Sequence, residues 1–139
     1  MSNKKREKSV LILCTGNSCR SIIAEALINR YLDGVKAYSA GVNPKKEVNS
    51  LAKRVLKEHE CWSDEYYSKD IDEVSNIDFD LVVTVCDNAK ETCPTFPKDV
   101  KQIHVGFKDP DGADYEEFIK TYNDIKETLL KVVKREIEI

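Results

Sequence analysis

A cysteine and an arginine lie six positions apart near the start of the chain, within the segment Cys14-Thr15-Gly16-Asn17-Ser18-Cys19-Arg20-Ser21. Gly16 and Asn17 tolerate left-handed backbone angles, which turn successive N–H groups toward one point and create an anion-binding nest at a helix N-terminus. The guanidinium of Arg20 can bind two oxygens of a tetrahedral oxyanion. The same positive environment stabilises the thiolate of Cys14 as a nucleophile. The segment therefore predicts a loop that binds an anion and attacks it.

The same spacing is also compatible with a purely structural role, with Cys14 buried at a strand end and Arg20 solvated on a helix. We favour the chemical interpretation because a strand, a glycine-containing loop and an amphipathic helix follow one another in the order that the nest requires. Cys19 stays open between an inert loop residue and a second thiol that can form a disulfide with Cys14.

Four apolar segments predict the strands that position this loop. Residues 10–14 and 79–86 are β-branched and apolar on both faces, which is typical of central strands in a parallel sheet covered by helices. Residues 37–40 and 102–105 are weaker, and each is followed by a glycine, so we expect them at the edges of the sheet.

Helical patterns lie between and after these strands. Apolar residues recur at spacing four from Ile23 to Tyr31, and the clearest pattern covers residues 118–132, with Asp114 and Glu117 placed as a capping box. The alternation predicts a single-domain α/β fold with an open parallel sheet, in which ligands bind beyond the carboxyl ends of the strands. Chemistry is therefore expected just after Cys14 and Cys86.

Composition excludes several classes of function. The 139 residues are 41% hydrophobic and 34% charged with a formal net charge of -3, which gives no basic excess for nucleic acid. The longest apolar run is residues 10–14, far short of the ~20 residues that cross a bilayer. No signal-peptide pattern follows the basic N-terminus. We expect a flexible tail at residues 1–8, one domain at residues 9–139, no membrane partner and a cytoplasmic location.

Five cysteines form an odd number without the spacing of a secreted disulfide scaffold, so at least some should be reduced. If Cys14 and Cys86 end neighbouring strands, a strand spacing of about 4.8 Å brings their Cα atoms within disulfide range. A helix would hold Cys86 and Cys93 about 10 Å apart, so a disulfide between them needs the intervening segment to loop or unwind.

Other interpretations of these cysteines remain. Cys86 can fill a core position while Cys93 is an incidental surface thiol, since buried cysteine is common. Zinc is disfavoured because the sequence has no Cys-x2-Cys pair. Cys61, beside Trp62, is interpreted as a packing or surface residue.

Taken together, these motifs resemble the family of low-molecular-weight protein tyrosine phosphatases and the thioredoxin-coupled arsenate reductases built on the same fold. The resemblance covers nearly the whole chain after the tail and rests on CTGNSCRS at 14–21, YSAG at 38–41, LVVTVC at 81–86, Cys93-Pro94 and GFKDP at 106–110. It implies a four-stranded sheet of order 2-1-3-4 with helices on both faces. The cysteines at positions 86 and 93 favour the reductase branch.

In that branch the resemblance implies the reduction of arsenate to arsenite. Cys14 attacks arsenic and Asp109 protonates the leaving hydroxide, with Asp111 as a less favoured substitute. Cys86 then releases arsenite, and Cys93 takes over the disulfide, which thioredoxin reduces; no organic cofactor is expected. The residues that would hold the oxyanion are Thr15, Gly16, Asn17, Ser18, Cys19, Arg20 and Ser21.

Two rival functions stay open. A phosphotyrosine phosphatase would need only Cys14, Arg20 and Asp109, but such enzymes usually carry an aromatic residue where this chain has Asp111. A module that binds a phosphorylated partner would not need a cysteine at position 14.

Some relatives also hold a potassium ion near the nucleophile loop. Asn17, Glu25 and Ser39 match residues of that site, whereas an ungapped alignment places Lys69 at the remaining acidic ligand. Because a lysine there would repel a cation, we expect no metal.

Overall fold

The computed structural model describes residues 7–87, 96 and 98–137. Its strands are β1 (Lys8–Cys14), β2 (Val35–Gly41), β3 (Leu81–Thr84) and β4 (Gln102–His104), and its helices are α1 (Arg20–Tyr31), α2 (Ser50–Glu58), a short 3-10 helix (Ile71–Val74) and α3 (Tyr115–Glu136). The strands form one sheet of order β2-β1-β3-β4, and all three pairings are parallel. The predicted fold class and strand order are confirmed.

The two faces of the sheet are covered unequally. One face, which includes Val10, Ile12 and Val83, packs against all three α-helices in the larger apolar core. The opposite face, which includes Leu11 and Leu13, packs in a smaller core whose other members include Ile71 and Val74 of the 3-10 helix and Phe96. β1 is central and is buried on both faces from residue 10 onward, which explains its uninterrupted apolar sequence.

The ends of the strands differ slightly from the sequence-based boundaries. β1 begins at Lys8, whose Cα pairs with Val35, so residue 8 belongs to the sheet rather than to the tail. β3 is shorter than the predicted 79–86, although Val85 N still donates to Leu13 O at 3.0 Å. An apolar run indicates which residues are buried, and residues beyond the last paired residue of β3 are buried too. The predicted strand is therefore longer than the observed one.

The N-terminus of α3 lies where the sequence predicts it. The side chain of Asp114 accepts a hydrogen bond from Glu117 N and caps α3. Both bonds of a capping box are present instead at the 3-10 helix, between Asp70 and Glu73. Within the described ranges, no helix combines the length and the apolar character needed to cross a bilayer.

Candidate active site

The loop that joins β1 to α1 forms the floor of a cleft at the carboxyl edge of the sheet. We call residues 14–20 the nucleophile loop. Cys14 ends β1, and Arg20 begins α1. Asn17 has a left-handed φ of 48°, as the sequence predicts for a nest. No side chain caps α1, and its first turn carries no acidic residue, so the helix N-terminus offers its positive end to a ligand.

The carbonyl oxygens of Thr15 to Cys19 each accept a hydrogen bond from another part of the chain. In loop order from Thr15 to Cys19, the donors are Asn43 N (3.0 Å), Lys45 N (2.9 Å), Ser68 Oγ (2.6 Å), Asn49 N (3.0 Å) and Ile23 N (2.9 Å). The C=O and N–H of a trans peptide point in opposite directions. The N–H groups of residues 16–20 therefore face the cleft, where they can bind an anion.

A glycine at the end of β2 allows this packing. A Cβ on Gly41 would lie 2.5 Å from Thr15 O, which is closer than any side chain can approach. Gly41 N in turn donates to Lys69 O at 2.9 Å. Gly41, the last residue of the YSAG motif, therefore allows β2 to lie close to the nucleophile loop.

The cleft has a volume of about 210 Å³, large enough for a small oxyanion. Its lining consists of Cys14, Thr15, Gly16, Asn17, Ser18, Cys19, Arg20, Asn43, Lys45 and Asp109. The structure thus brings together seven predicted residues of the loop and the predicted general acid. Thr15 Oγ1 is buried without a hydrogen-bond partner among the described residues, which leaves this hydroxyl available to a ligand.

Arg20 is fixed by contacts with the loop that carries Asp109. Its side chain is 3% exposed, and Nη2 lies 3.5 Å from Asp109 Oδ2. Nη1 donates to Phe107 O at 3.1 Å. Asp109 is held in turn because its Oδ1 accepts from Asp111 N at 3.0 Å. These contacts place a guanidinium and a carboxyl group in the same cleft. A reaction in which a carboxyl group protonates the leaving group of a bound anion needs both.

Cys19 lines the cleft together with Cys14. Burial raises the pKa of the Cys19 thiol to about 12. Cys19 is therefore protonated at neutral pH and is a poor nucleophile. Of the two interpretations left open by the sequence, this favours the inert loop residue.

The remaining cysteines fall into different states. Cys86 is fully buried and lies in a disulfide, whereas Cys14, Cys19 and Cys61 carry thiols. The register pairs Leu13 with Thr84, so Cys86 lies just beyond the paired ends of β1 and β3. Cys93 and residues 88–92 of the segment between the two cysteines, which was expected to loop or unwind, lie outside the described residues.

Of the packing and surface roles left open for Cys61, the structure supports packing. It is 5% exposed, and its Sγ donates to His59 O at 3.3 Å and lies 3.8 Å from Tyr122 Oη. These contacts belong to the core beneath α3, and Cys61 does not line the cleft.

The rim of the cleft carries an ion pair that the sequence analysis missed. Lys45 Nζ donates to Asp111 Oδ2 at 3.0 Å, and Asn49 Nδ2 donates to Asp111 Oδ1 at 2.9 Å. We call these three residues the mouth bridge. The only sequence signal for Lys45 and Asn49 is that they follow the carboxyl end of a predicted strand, which is a weak one.

A buried polar network supports the loop from below. We call Asn17, Glu25, Ser39 and Lys69 the lysine cluster. Asn17 Nδ2 donates to Ser39 Oγ at 2.9 Å, and Ser39 Oγ donates to Glu25 Oε1 at 2.6 Å. Lys69 N donates to Asn17 Oδ1 at 2.8 Å.

Ser21 belongs to this support and not to the lining of the cleft. It was expected to bind the oxyanion, but its Oγ accepts from Asn17 Nδ2 at 2.8 Å and it is fully buried. The first turn of α1 directs residue 21 away from the cleft, and the sequence does not reveal which way that turn faces.

The lysine cluster does not fit an added metal ion. Lys69 Nζ donates to Ser39 O at 3.1 Å and to Tyr67 O at 2.9 Å, so an ammonium already binds the carbonyl oxygens that a cation would use. Among the described residues, no three His, Cys, Asp or Glu side chains are grouped to bind a metal.

Comparison with known proteins agrees with this geometry. The family model described as low molecular weight phosphotyrosine protein phosphatase matches residues 9–138. The chain belongs to this family.

Several individual proteins are similar to this chain in sequence or structure. The chain is 40% identical over 130 residues to an arsenate reductase of Bacillus cereus, covering 93% of this chain and 94% of that protein. A crystal structure of arsenate reductase from Archaeoglobus fulgidus superimposes with a TM-score of 0.80 at 35% identity, covering 89% of this chain and 98% of that one. A thioredoxin-dependent arsenate reductase from Corynebacterium glutamicum gives a TM-score of 0.68 at 26% identity, covering 91% of this chain and 62% of that one.

Proposed function

We propose that this protein reduces arsenate to arsenite through Cys14, Cys86 and Cys93 in turn, and that thioredoxin restores the thiols. The proposal is supported by the arsenate reductases of similar sequence and structure, one of which is thioredoxin-dependent. It is supported independently by the cleft, whose size, N–H groups and arginine suit a small tetrahedral oxyanion.

The first step joins arsenic to sulfur. Arsenate binds in the nucleophile loop against the N–H groups and Arg20, and the thiolate of Cys14 attacks arsenic. An As–O bond breaks, and Asp109 gives a proton to the departing hydroxide, which leaves as water. Arsenic is still pentavalent in this thioester-like intermediate.

The second step carries out the reduction. The thiolate of Cys86 attacks the sulfur of Cys14, the S–As bond breaks, and its electron pair stays on arsenic, which leaves as trivalent arsenite. The product on the protein is a disulfide between Cys14 and Cys86. Cys93 then attacks Cys86, which returns Cys14 to the thiol and leaves a disulfide between Cys86 and Cys93. A thioredoxin dithiol reduces that bond and supplies both electrons.

The state of the cysteines is the observation that carries the proposal. The relay ends with an oxidised Cys86 and a thiol on Cys14, and the structure has Cys86 in a disulfide and a thiol on Cys14. A phosphatase needs no second redox-active cysteine at the carboxyl edge of the sheet, because hydrolysis transfers no electrons.

The mouth bridge favours arsenate over phosphotyrosine. An aryl phosphate would need an apolar wall beside its ring, but the residue after Asp109-Pro110 is Asp111, which binds Lys45 and Asn49. Charged side chains at this rim favour the entry of a small hydrophilic anion over that of a phenyl ring.

The test is a coupled assay with arsenate, thioredoxin, thioredoxin reductase and NADPH. We expect continuous NADPH oxidation with the unmodified chain. Cys93→Ser should give at most about one equivalent of arsenite per chain, because the disulfide between Cys14 and Cys86 cannot be transferred to residue 93 and then reduced by thioredoxin. Cys61→Ser is the matched control, since Cys61 is buried but away from the cleft, and it should keep steady turnover.

Two results would count against the proposal. Equal steady turnover by Cys93→Ser and the unmodified chain would remove Cys93 from the reaction. Hydrolysis of p-nitrophenyl phosphate with a higher kcat/KM than arsenate reduction would make the phosphatase the main activity.

A further inference from the structure

Lys69 is buried beneath the nucleophile loop, which is an uncommon position for a lysine. The residue is 7% exposed, and its ammonium donates to the backbone oxygens of Ser39 and Tyr67. Neither partner carries a formal charge, so the lysine is held by oriented carbonyl dipoles. Backbone carbonyl oxygens are also the groups that bind desolvated K⁺ in channel selectivity filters.

The backbone around Lys69 is linked directly to the residue that gives the loop its shape. Asn17 is fully buried with a left-handed φ of 48°. Its side-chain oxygen accepts from Lys69 N at 2.8 Å, and its backbone oxygen accepts from Ser68 Oγ at 2.6 Å. Two consecutive residues of the Lys69 segment therefore hold Asn17 in the conformation that directs N–H groups into the cleft.

A buried carboxylate completes the cluster. Glu25 is 6% exposed and accepts from Ser39 Oγ at 2.6 Å. Burial raises the pKa of Glu25 to about 7, and the positive charge of Lys69 acts against that rise. The positive charge of Lys69 therefore favours the ionised form of Glu25.

We propose that the ammonium of Lys69 is a tethered cation that positions the nucleophile loop, so that the oxyanion site of this chain forms without a bound monovalent metal ion. The resemblance implies potassium at the matching place in some relatives, and the contacts of Lys69 disagree with a metal here. The ammonium acts through Ser39, near the end of β2, whose hydroxyl in turn accepts from Asn17 Nδ2, so Lys69 is a positioning residue. The proposal rests on the proposed function only in taking the cleft to be an oxyanion site.

The test measures inorganic phosphate as a probe of the nucleophile loop. Iodoacetamide alkylates Cys14, the extent is followed by peptide mass, and the concentration of phosphate that halves the rate reports the affinity of the site. Potassium chloride replaces choline chloride at constant ionic strength. For the unmodified chain, we expect the same phosphate affinity in both salts.

Two variants separate the charge of Lys69 from its bulk. Lys69→Ala should free the oxygens of Ser39 and Tyr67 from the ammonium, beside a cavity that Tyr67 and Glu25 line. We expect this variant to bind phosphate about tenfold more weakly in choline chloride, the usual cost of losing an outer partner, and to recover in potassium chloride. Lys69→Met keeps most of the bulk without the charge, so it should be weakened in both salts.

Several results would overturn the proposal. One is a gain in phosphate affinity of the unmodified chain when potassium replaces choline. Another is wild-type phosphate affinity for Lys69→Met, which would show that the charge is not needed. Failure of potassium to restore a folded Lys69→Ala would leave Lys69 with only a packing role. If Lys69→Ala does not fold in either salt, the unmodified chain and Lys69→Met decide the question.

These measurements stand apart from the proposed reduction of arsenate. They use no arsenate, no thioredoxin and no turnover, so a chain that fails the coupled assay can still give the expected potassium pattern. Conversely, the unmodified chain could reduce arsenate and yet bind phosphate more tightly in potassium chloride than in choline chloride. That result would refute the role of Lys69 and leave the proposed function intact.

Discussion

The floor and the mouth of the cleft are held by contacts of different kinds. At the floor, Cys14, Asn17 and Arg20 are at most 3% exposed, and the loop carbonyls are bound by three neighbouring segments. At the mouth, the Lys45 and Asp111 side chains are 56% and 37% exposed and meet in a single ion pair. Buried networks hold one geometry, whereas exposed ion pairs contribute about 0–1 kcal/mol and open readily. We infer that the floor determines the reaction and that the mouth determines what enters.

The largest effect should come from the nucleophile at the floor. Cys14→Ser replaces a thiolate by a hydroxyl that is not ionised, so we expect arsenite formation in a single turnover to fall by at least about a thousandfold. Phosphate affinity, measured by calorimetry, should change little because the N–H groups and Arg20 remain. Retained turnover would assign the chemistry to another group, and retained biological function would favour the phospho-partner binding module.

The two cysteines of the loop should differ strongly in reactivity. Because burial raises the pKa of Cys19 to about 12, its thiolate fraction at pH 8 is on the order of one in ten thousand. Iodoacetamide at pH 8 should therefore modify Cys14 at least about a hundredfold faster than Cys19. Labelling of Cys19 should rise as the pH is raised toward 12. Peptide mass mapping over a pH series measures both rates, and equal rates at pH 8 would contradict the assignment.

Arg20→Lys tests whether the fork of the guanidinium is needed. A lysine has one point charge, so it cannot bind two oxygens of the oxyanion while contacting Phe107 O and Asp109. We expect kcat/KM for arsenate to fall by about a hundredfold. Arg30→Lys is the matched control, since Arg30 lies exposed in the last turn of the same helix, and it should retain activity.

Gly41→Ala tests the close contact between the end of β2 and the nucleophile loop. The added Cβ would meet Thr15 O at 2.5 Å, so the backbone must move, and we expect the free energy of unfolding to fall by about 2–3 kcal/mol. Gly34→Ala is the control. It has a φ of 78° and nothing within 4 Å, so it should cost only about 1 kcal/mol of backbone strain. Urea unfolding of both variants gives the comparison, and equal losses would mean that the contact is not tight.

The floor could be predicted from the sequence because its parts are contiguous. A strand, residues 14–20 and a helix follow one another, so local pattern was enough to place Cys14, Gly16, Asn17 and Arg20. The role proposed for Asp109 came only from the resemblance, because an isolated aspartate beside a proline is typical of an ordinary turn. The strand order likewise needed the resemblance, since apolar patterns show which segments are buried but not which are neighbours.

The mouth and the underside could not be predicted in the same way. Ser68 and Lys69 contact Asn17 across 51 and 52 residues of sequence, and Lys45 contacts Asp111 across 66. Each is a polar residue in a segment without periodicity, so nothing local distinguishes it from a solvated loop residue. The sequence distinguishes Lys69 only as a mismatch to a metal site, and the bonds of Lys69 Nζ to Ser39 O and Tyr67 O explain that mismatch physically.

The smallest effects on stability and arsenate turnover should come from opening the mouth bridge. Asp111→Ala removes the acceptor of both Lys45 and Asn49. We expect the free energy of unfolding to change by about 0.5 kcal/mol or less, because the ion pair is exposed. Arsenate kcat/KM should change by less than about threefold, whereas kcat/KM for p-nitrophenyl phosphate should rise by about three- to tenfold as the rim opens to a phenyl ring.

Lysine substitutions and salt complete this test. Lys45→Met should reproduce the gain toward the aryl phosphate, but Lys46→Met should not, because Lys46 has the same charge and does not line the cleft. Raising the ionic strength weakens an exposed ion pair, so it should raise aryl phosphate hydrolysis of the unmodified chain more than that of Asp111→Ala. If Asp111→Ala instead loses arsenate reduction as severely as Arg20→Lys, then Asp111 works at the floor beside Asp109, and the division between floor and mouth is wrong.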